Sequence, residues 1–241
     1  LILKSGFLAV SSGAPPDKSS PGLYRVNFTH TKQRGAKKII YRENFLMQLF
    51  SKYITGFLIV LLWCPVSLFG FERYNNVTQY DSYFKKYTKH YFGPGFDWRY
   101  FKSQAVAESN LDSDAKSHVG AKGIMQIMPK TFEEIKYKNP SIKGSAQQPK
   151  WNIAAGIYYD RGIWKLWKAK RPFEDRVAFM FGSYNAGKGN ILKAQKLAKK
   201  NGLDPNIWPS IEKNLIEVTG RHSRETIGYV NKINKVKGVL K

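Results

Sequence analysis

Cysteine is nearly absent from this chain. Cys64 stands alone among 241 residues, so no intramolecular disulfide can form. Histidine is scarce too: His30, His90, His118 and His222 lie far apart. Without a Cys/His cluster at ligating distance, neither a zinc site nor another metal centre is expected. Acidic residues are few, with 17 Asp and Glu against 40 Lys and Arg, a net charge of +23. Such a field attracts nucleic acid, anionic lipid or acidic wall polymers, and by itself chooses none of them. Apolar residues make up 42% of the chain and aromatic ones 15%. That is enough to bury a core and to exclude global disorder, and the length suits one domain with flanking segments.

Residues 1–46 read as a basic low-complexity leader outside the mature fold. Ser11 to Pro16 is loop-like, and Lys32 to Lys38 is a basic patch without helical period. An over-extended reading frame is the preferred origin of this segment; a basic cytoplasmic arm is the alternative. Residues 47–71 open at Met47 with a short polar start containing Lys52, then run almost wholly apolar from Ile54 to Phe71. The run suits a signal peptide, or an N-terminal membrane anchor if it is not cleaved, and implies export. A buried core helix is the bland alternative. Acylation of Cys64 is disfavoured, because Trp63 stands where a lipoprotein signal needs a small side chain.

Residues 72–94 form an aromatic and basic lead-in that stops at Gly93-Pro94-Gly95. Helix signals then follow one another. Asp97 is a candidate cap for a helix through Asn110, and Pro129 suits the first turn of a helix to about Tyr137. Asn152 to Trp167 and Pro172 to Gly187 read as two more. Lys188 to Lys200, Trp208 to Val218, and a last helix capped by Ser223 complete the series. Between Asn110 and Gln126 the pattern is irregular, leaving room for a small β element. The expected fold is mainly α, with a catalytic domain over residues 95–237.

Within the first helix of that domain, Phe101, Ala105 and Glu108 recur at i, i+4 and i+7 along one face. A carboxyl group facing a core is costly unless paired or protonated. Burial raises its pKa toward neutrality, as a general acid requires. The bland alternative is a Glu at the edge of the stripe that reaches solvent. Trp164 and Trp167 could stack on sugars, although their helical spacing suits core packing better. Tyr184, four residues after Met180, could equally be core.

Further residues decide between these readings. Glu108-Ser109 is followed by Gly123-Ile124-Met125-Gln126-Ile127-Met128-Pro129. Asn152, Gly156 and Tyr159 come next, then Tyr184-Asn185-Ala186-Gly187, and finally Glu225-Thr226 with Tyr229-Val230. From about Asp97 to Ile233 this ordered set resembles the soluble lytic transglycosylases and their goose-type lysozyme relatives. The resemblance implies a lysozyme-like helical domain with a substrate groove, in which Glu108 is the single catalytic acid/base. It further implies that Ser109 contacts or positions the sugar, that Met125 and Gln126 line the groove, and that Gln126 hydrogen-bonds substrate. Tyr184 would place its hydroxyl by the Glu108 carboxyl, Asn185 would shape the cleft, and Glu225 would lie near it. For Glu225, a simple place in the first turn of its helix is an equal alternative.

Three departures stand out: Ile124 for a usual Leu, Asp114 for a frequent Pro, and Ser183 for a common Ala. None touches proton transfer. The resemblance implies cleavage of peptidoglycan glycan strands to 1,6-anhydromuramoyl ends without metal or organic cofactor. It also implies a place in the cell envelope, with membrane association open and nucleic acid not expected as a partner. A hydrolytic lysozyme on the same scaffold and a non-catalytic cationic wall-binding protein are the competing readings. Asp112, Asp114 and Glu225 are the carboxylates that could serve a hydrolase as a second group.

Overall fold

The computed structural model describes residues 70–241. The expectations for residues 1–46 and for nearly all of the apolar run lie outside these residues. Among the described residues from Asp81 onward, eight α-helices follow in order: α1 Asp81–Phe92, α2 Arg99–Ser109, α3 Pro129–Lys138, α4 Pro149–Leu166, α5 Phe173–Ala186, α6 Lys188–Lys200, α7 Trp208–Thr219 and α8 Ser223–Val239. Short 3-10 turns occupy Arg73–Asn75 and Gly220–His222. Among the described residues no strand forms. The β element allowed for in the irregular segment amounts to two isolated antiparallel bridges, Lys116 with Lys122 and Lys122 with Ile127. None of the described helices is long and apolar enough to cross a membrane.

The helix ends follow local chemistry. Asp97 accepts the Arg99 backbone N–H at 3.0 Å, so it caps α2 from two residues upstream. Pro129 and Pro149 occupy first-turn positions, where their missing N–H costs nothing. α4 therefore starts three residues before the expected Asn152, whose side chain is spent elsewhere. Ser223 does not cap α8: its hydroxyl donates to the Gly220 carbonyl at 2.8 Å and satisfies no helix N–H.

Two helices carry the centre of the fold. α2 contributes Phe101, Ala105 and Val106, and α5 contributes Phe179, Met180 and Phe181, all without solvent exposure. α8 packs along α2 and α5, α4 along α1 and α5, and α6 against α7. Aromatic rings seal the end where α1, α2, α4 and α5 meet: Phe96 stacks on Phe101 at 5.4 Å and meets Trp164 edge-on at 5.5 Å. Trp164 and Trp167 are both core residues, and the Trp167 ring N–H donates to Ser183 at 3.2 Å. That bond gives the hydroxyl at position 183 a buried partner.

The lead-in is more than a lead-in. α1 buries Phe84 and Tyr87 against the same core, and Asp81 pairs at 2.8 Å with the buried Lys102 of α2. Its aromatic side chains are what tie it there, since each removes a large apolar area from water.

Candidate active site

Glu108 lies on the last turn of α2, and the backbone beyond it turns sharply. Asn110 (φ 56°) and Leu111 (φ 67°) both adopt the left-handed region. Asn tolerates that geometry, whereas Leu is strained by it, at a cost of about 1–3 kcal/mol. The turn closes through the Leu111 N–H to the Ala105 carbonyl at 3.4 Å. The Tyr74 hydroxyl, donating to Asn110 Oδ1 at 2.9 Å, holds it from the far side. The helix thus ends immediately beyond its carboxylate.

A second wall is the loop 122–127, closed by reciprocal backbone bonds of 3.0 Å between Lys122 and Ile127. Asn152 of α4 clamps it from beneath. Its Oδ1 accepts the Met125 N–H at 2.7 Å, while its Nδ2 donates to the carbonyls of Lys122 (2.9 Å) and Ala146 (2.7 Å). Gly123 sits at φ 75°, and a Cβ there would come within 2.6 Å of the Asn152 amide. Only glycine satisfies both conditions. Gly156 opens room for the Met125 side chain, which would otherwise meet a Cβ at 2.9 Å.

Into this frame the structure sets the acid. Glu108 is half-buried, and its Oε1 accepts a 2.6 Å hydrogen bond from the Tyr229 hydroxyl of α8. Loss of solvent around the carboxyl pushes its pKa up to about 7. The Tyr229 bond and the nearby Lys232 ammonium pull the other way, and Glu225 adds a small upward push. Tyr229 is itself held far above the ordinary phenol value, by burial first and by the Glu108 charge second. It therefore stays a hydroxyl and can only donate to the carboxylate. A carboxyl group poised near neutrality, oriented by a fixed donor, can deliver a proton and take one back.

The residues named from the sequence arrive in one neighbourhood, but several do other work. Ser109 donates to the Ile124 carbonyl at 2.9 Å and so ties the acid-bearing helix to the loop. Met125 is fully buried, so its side chain does not line a groove; its carbonyl accepts from the Tyr184 hydroxyl at 2.8 Å. Tyr184 was expected to fix the Glu108 carboxyl. It braces the loop instead, and Tyr229 takes the expected role, because α8 lies directly along α2. The Tyr184 hydroxyl still feels the Glu108 charge, which adds to the effect of burial in raising its pKa.

Gln126, at φ 45°, spends its amide N–H groups on the carbonyls of Gly123 (2.9 Å) and Ala115 (3.2 Å). Asn185 accepts from Thr226 at 2.7 Å, joining α5 to α8. Glu225 stands exposed, 3.8 Å from His222, at the rim of a cavity of about 370 Å³ that Asn185 and Thr226 also line. Asp112 and Asp114 are exposed as well, and the Asp112 carboxylate is turned back onto the Asp114 N–H at 2.9 Å.

Sequence reasoning missed one acid. Asp160 of α4 is completely buried, and burial, with the Glu108 charge adding to it, holds its pKa well above the usual range. Gln104, one turn before Glu108 on α2, lies close enough to favour its charged form without reaching hydrogen-bond geometry. The signal was available: Gly156, Ile157, Asp160, Ile163 and Trp164 follow the same helical stripe that singled out Glu108. Lys232 gave no such signal, being one lysine among many.

Known proteins sharpen what this arrangement belongs to. The family model of the transglycosylase SLT domain matches residues 82–207, just over half of the chain, and the chain belongs to that family. The match ends before α7, so Tyr229 comes from beyond it. More particularly, the chain is 35% identical over 143 residues to membrane-bound lytic murein transglycosylase F of Desulfosudis oleivorans, covering 56% of this chain and 29% of that protein. It is 27% identical over 192 residues to the protein of the same name from Pseudomonas fluorescens, covering 79% of this chain and 37% of that one. Among solved structures, the 70 kDa soluble lytic transglycosylase of Escherichia coli superposes with a TM-score of 0.51 at 27% identity, over 67% of this chain and 24% of that one. The chain therefore spans well under half the length of these relatives, and the lysozyme-like helical fold expected for it agrees with the last of them.

Proposed function

We propose that this protein is a peptidoglycan lytic transglycosylase, cleaving the β-1,4 bond between N-acetylmuramic acid and N-acetylglucosamine to leave a 1,6-anhydromuramoyl end. The observation that carries this reading is the Glu108 carboxyl, raised to about 7 and held by Tyr229 at 2.6 Å. Glu108 protonates the glycosidic oxygen as the C1–O bond breaks. The muramic 6-hydroxyl then attacks C1, and its proton passes to the Glu108 carboxylate. No water is consumed, and the acid is restored for the next turnover.

A hydrolase needs a second carboxyl group placed to activate water or to form a covalent bond. Asp112, Asp114 and Glu225 are solvent-exposed, and Asp160 is fully buried behind Glu108. A tethered hydroxyl is then the nucleophile at highest effective concentration. Gln126, Asn185 and Glu225 are the groups we assign to the substrate side of the cleft, with Ser109, Met125 and Tyr184 shaping it from behind. The protein's partner is the glycan strand, and its place is the cell envelope. The name of the Desulfosudis relative and the apolar run after Met47 both support association with the membrane. The catalytic unit is residues 95–237 together with the α1 segment packed on them.

Digestion of purified peptidoglycan in water enriched in heavy oxygen tests the reading. Anhydro ends weigh one water less than reducing ends and carry no label. A product pool of labelled reducing ends would refute the transglycosylase assignment.

A further inference from the structure

Directly beyond Glu108, two successive residues without the freedom of glycine, Asn110 and Leu111, hold positive φ. Such a turn persists only where surrounding groups over-determine it. Part of that work is done by its own backbone, through the Asn110 and Leu111 N–H groups on the carbonyls of Val106 and Ala105. The Asn110 side chain is gripped from 36 residues upstream, by Tyr74. Tyr74 lies on the short turn Arg73–Asn75, ahead of residues 82–207 that the family model matches. Its side chain is buried, and its hydroxyl accepts from the Arg73 guanidinium at 2.8 Å while donating to Asn110 Oδ1 at 2.9 Å. With a cation donating to the oxygen, the hydroxyl proton is directed at Asn110, and the bond is strengthened by the charge behind it.

The neighbouring residue fixes the same turn to a second element. Asn75 Nδ2 donates to the Val239 carbonyl at 3.0 Å, and its Oδ1 accepts the Lys241 N–H at 2.9 Å. Both contacts lie at the end of α8, the helix that brings Tyr229 and Lys232 to the acid. Residues 73–75 therefore bridge the end of α2, which carries Glu108, and the helix that supplies its hydrogen-bond donor. Phe71, the last residue of the apolar run, stacks on the Tyr74 ring at 6.4 Å and backs this bridge. The last turn of a helix is the part that frays, and Glu108 stands on it. A displacement of about 1 Å at a catalytic group is enough to cost rate.

We propose that Tyr74 is a positioning residue for Glu108: its hydroxyl, backed by Arg73, locks the turn at Asn110 and so keeps the acid aimed at the glycosidic oxygen. This rests on the functional reading above. It gives the segment ahead of the matched domain a task in the reaction, exerted through Asn110.

The experiment uses the full chain and follows cleavage of soluble glycan strands, per folded molecule, across pH in water enriched in heavy oxygen. Tyr74→Phe removes one oxygen and keeps the ring on Phe71. Its kcat should fall about 10-fold with KM unchanged within about two-fold, because the turn moves the acid and not the groove. The alkaline limb of its pH–rate profile should move to lower pH, since a loosened turn returns solvent to the carboxyl and lets its proton go earlier. The titratable groups that face Glu108 are left in place: Tyr229, Lys232 and Glu225 on α8, Asp160 on α4 and Tyr184 on α5. Asn110→Gly is the second variant: glycine takes positive φ freely, so the turn still folds, but Tyr74 loses its acceptor. It should reproduce the loss in kcat, and the double variant should be no slower than either single one. The proposal is overturned if either single variant keeps the parental kcat and limb, if only the yield of folded protein changes, or if the two losses multiply. A parent that leaves labelled reducing ends overturns the functional reading while the variants still judge Tyr74, which separates the two failures. A parent that cleaves no strand at all overturns both.

Discussion

Replacing Glu108 by Gln should make the protein more stable at alkaline pH while removing its activity. In the folded state the Glu108 carboxyl titrates at about 7, against an ordinary 4.5. Between those values the folded chain keeps a proton that the unfolded chain has released. The contribution of the neutral carboxyl is therefore complete below about 4.5 and is lost as pH rises through about 7. Above that pH the folded state carries a desolvated charge, at a cost of at most about 3 kcal/mol, since the group keeps some solvent contact. Gln keeps the shape and accepts the Tyr229 hydrogen bond without ever ionising. In urea titrations the Gln variant should match the parent within about 1 kcal/mol near pH 4 and exceed it by about 1–3 kcal/mol near pH 8. Its turnover should fall by at least ~100-fold at every pH, and parental activity should decline as pH rises past neutrality. A stability difference that is the same at both pH values would refute the burial argument. Near-parental wall lysis by the Gln variant would refute the acid.

Three further outcomes follow from the same geometry. Tyr229→Phe removes the donor that favours the charged form of Glu108, so the alkaline limb of the pH–rate profile should move to higher pH, with about 10-fold loss of rate from poorer orientation; an unmoved limb would show that the bond does not reach the chemistry. Asn152→Ala strands the Met125 N–H and two carbonyls under the loop and should lower stability by about 2–4 kcal/mol in thermal unfolding, with the activity per folded molecule falling as well. Asp160→Asn replaces a neutral acid by its neutral isostere: because the folded-state pKa of Asp160 is raised, the parent loses stability as pH rises and the variant should not, so melting curves that track each other across alkaline pH would count against a protonated Asp160.

Much of this molecule could be read from local chemistry. Pro129, Pro172, Gly202 and Gly220 placed helix ends to within a residue or two, because capping and helix breaking involve only neighbours in the chain. The period of Phe101, Ala105 and Glu108 put an acid on the buried side of α2, and burial is what tunes its pKa. Period alone, however, names a face and not the group that meets it. Tyr184 and Tyr229 both stand in the ordered motif set, and the place beside Glu108 was expected of Tyr184 alone. Which of them reaches Glu108 was decided by the packing of α8 along α2, which closes 121 residues of sequence to 2.6 Å. The same holds for Met125, whose side chain turns inward because Gly156 of another helix leaves space for it. Asn152 looked like a helix start until the tertiary structure gave its amide three loop partners. Helix formation is a matter of a few residues and of solvent, so the chain itself specified where the acid would stand. The partners that hold and tune it come from helices distant in sequence, and only their packing brings those groups within hydrogen-bond reach.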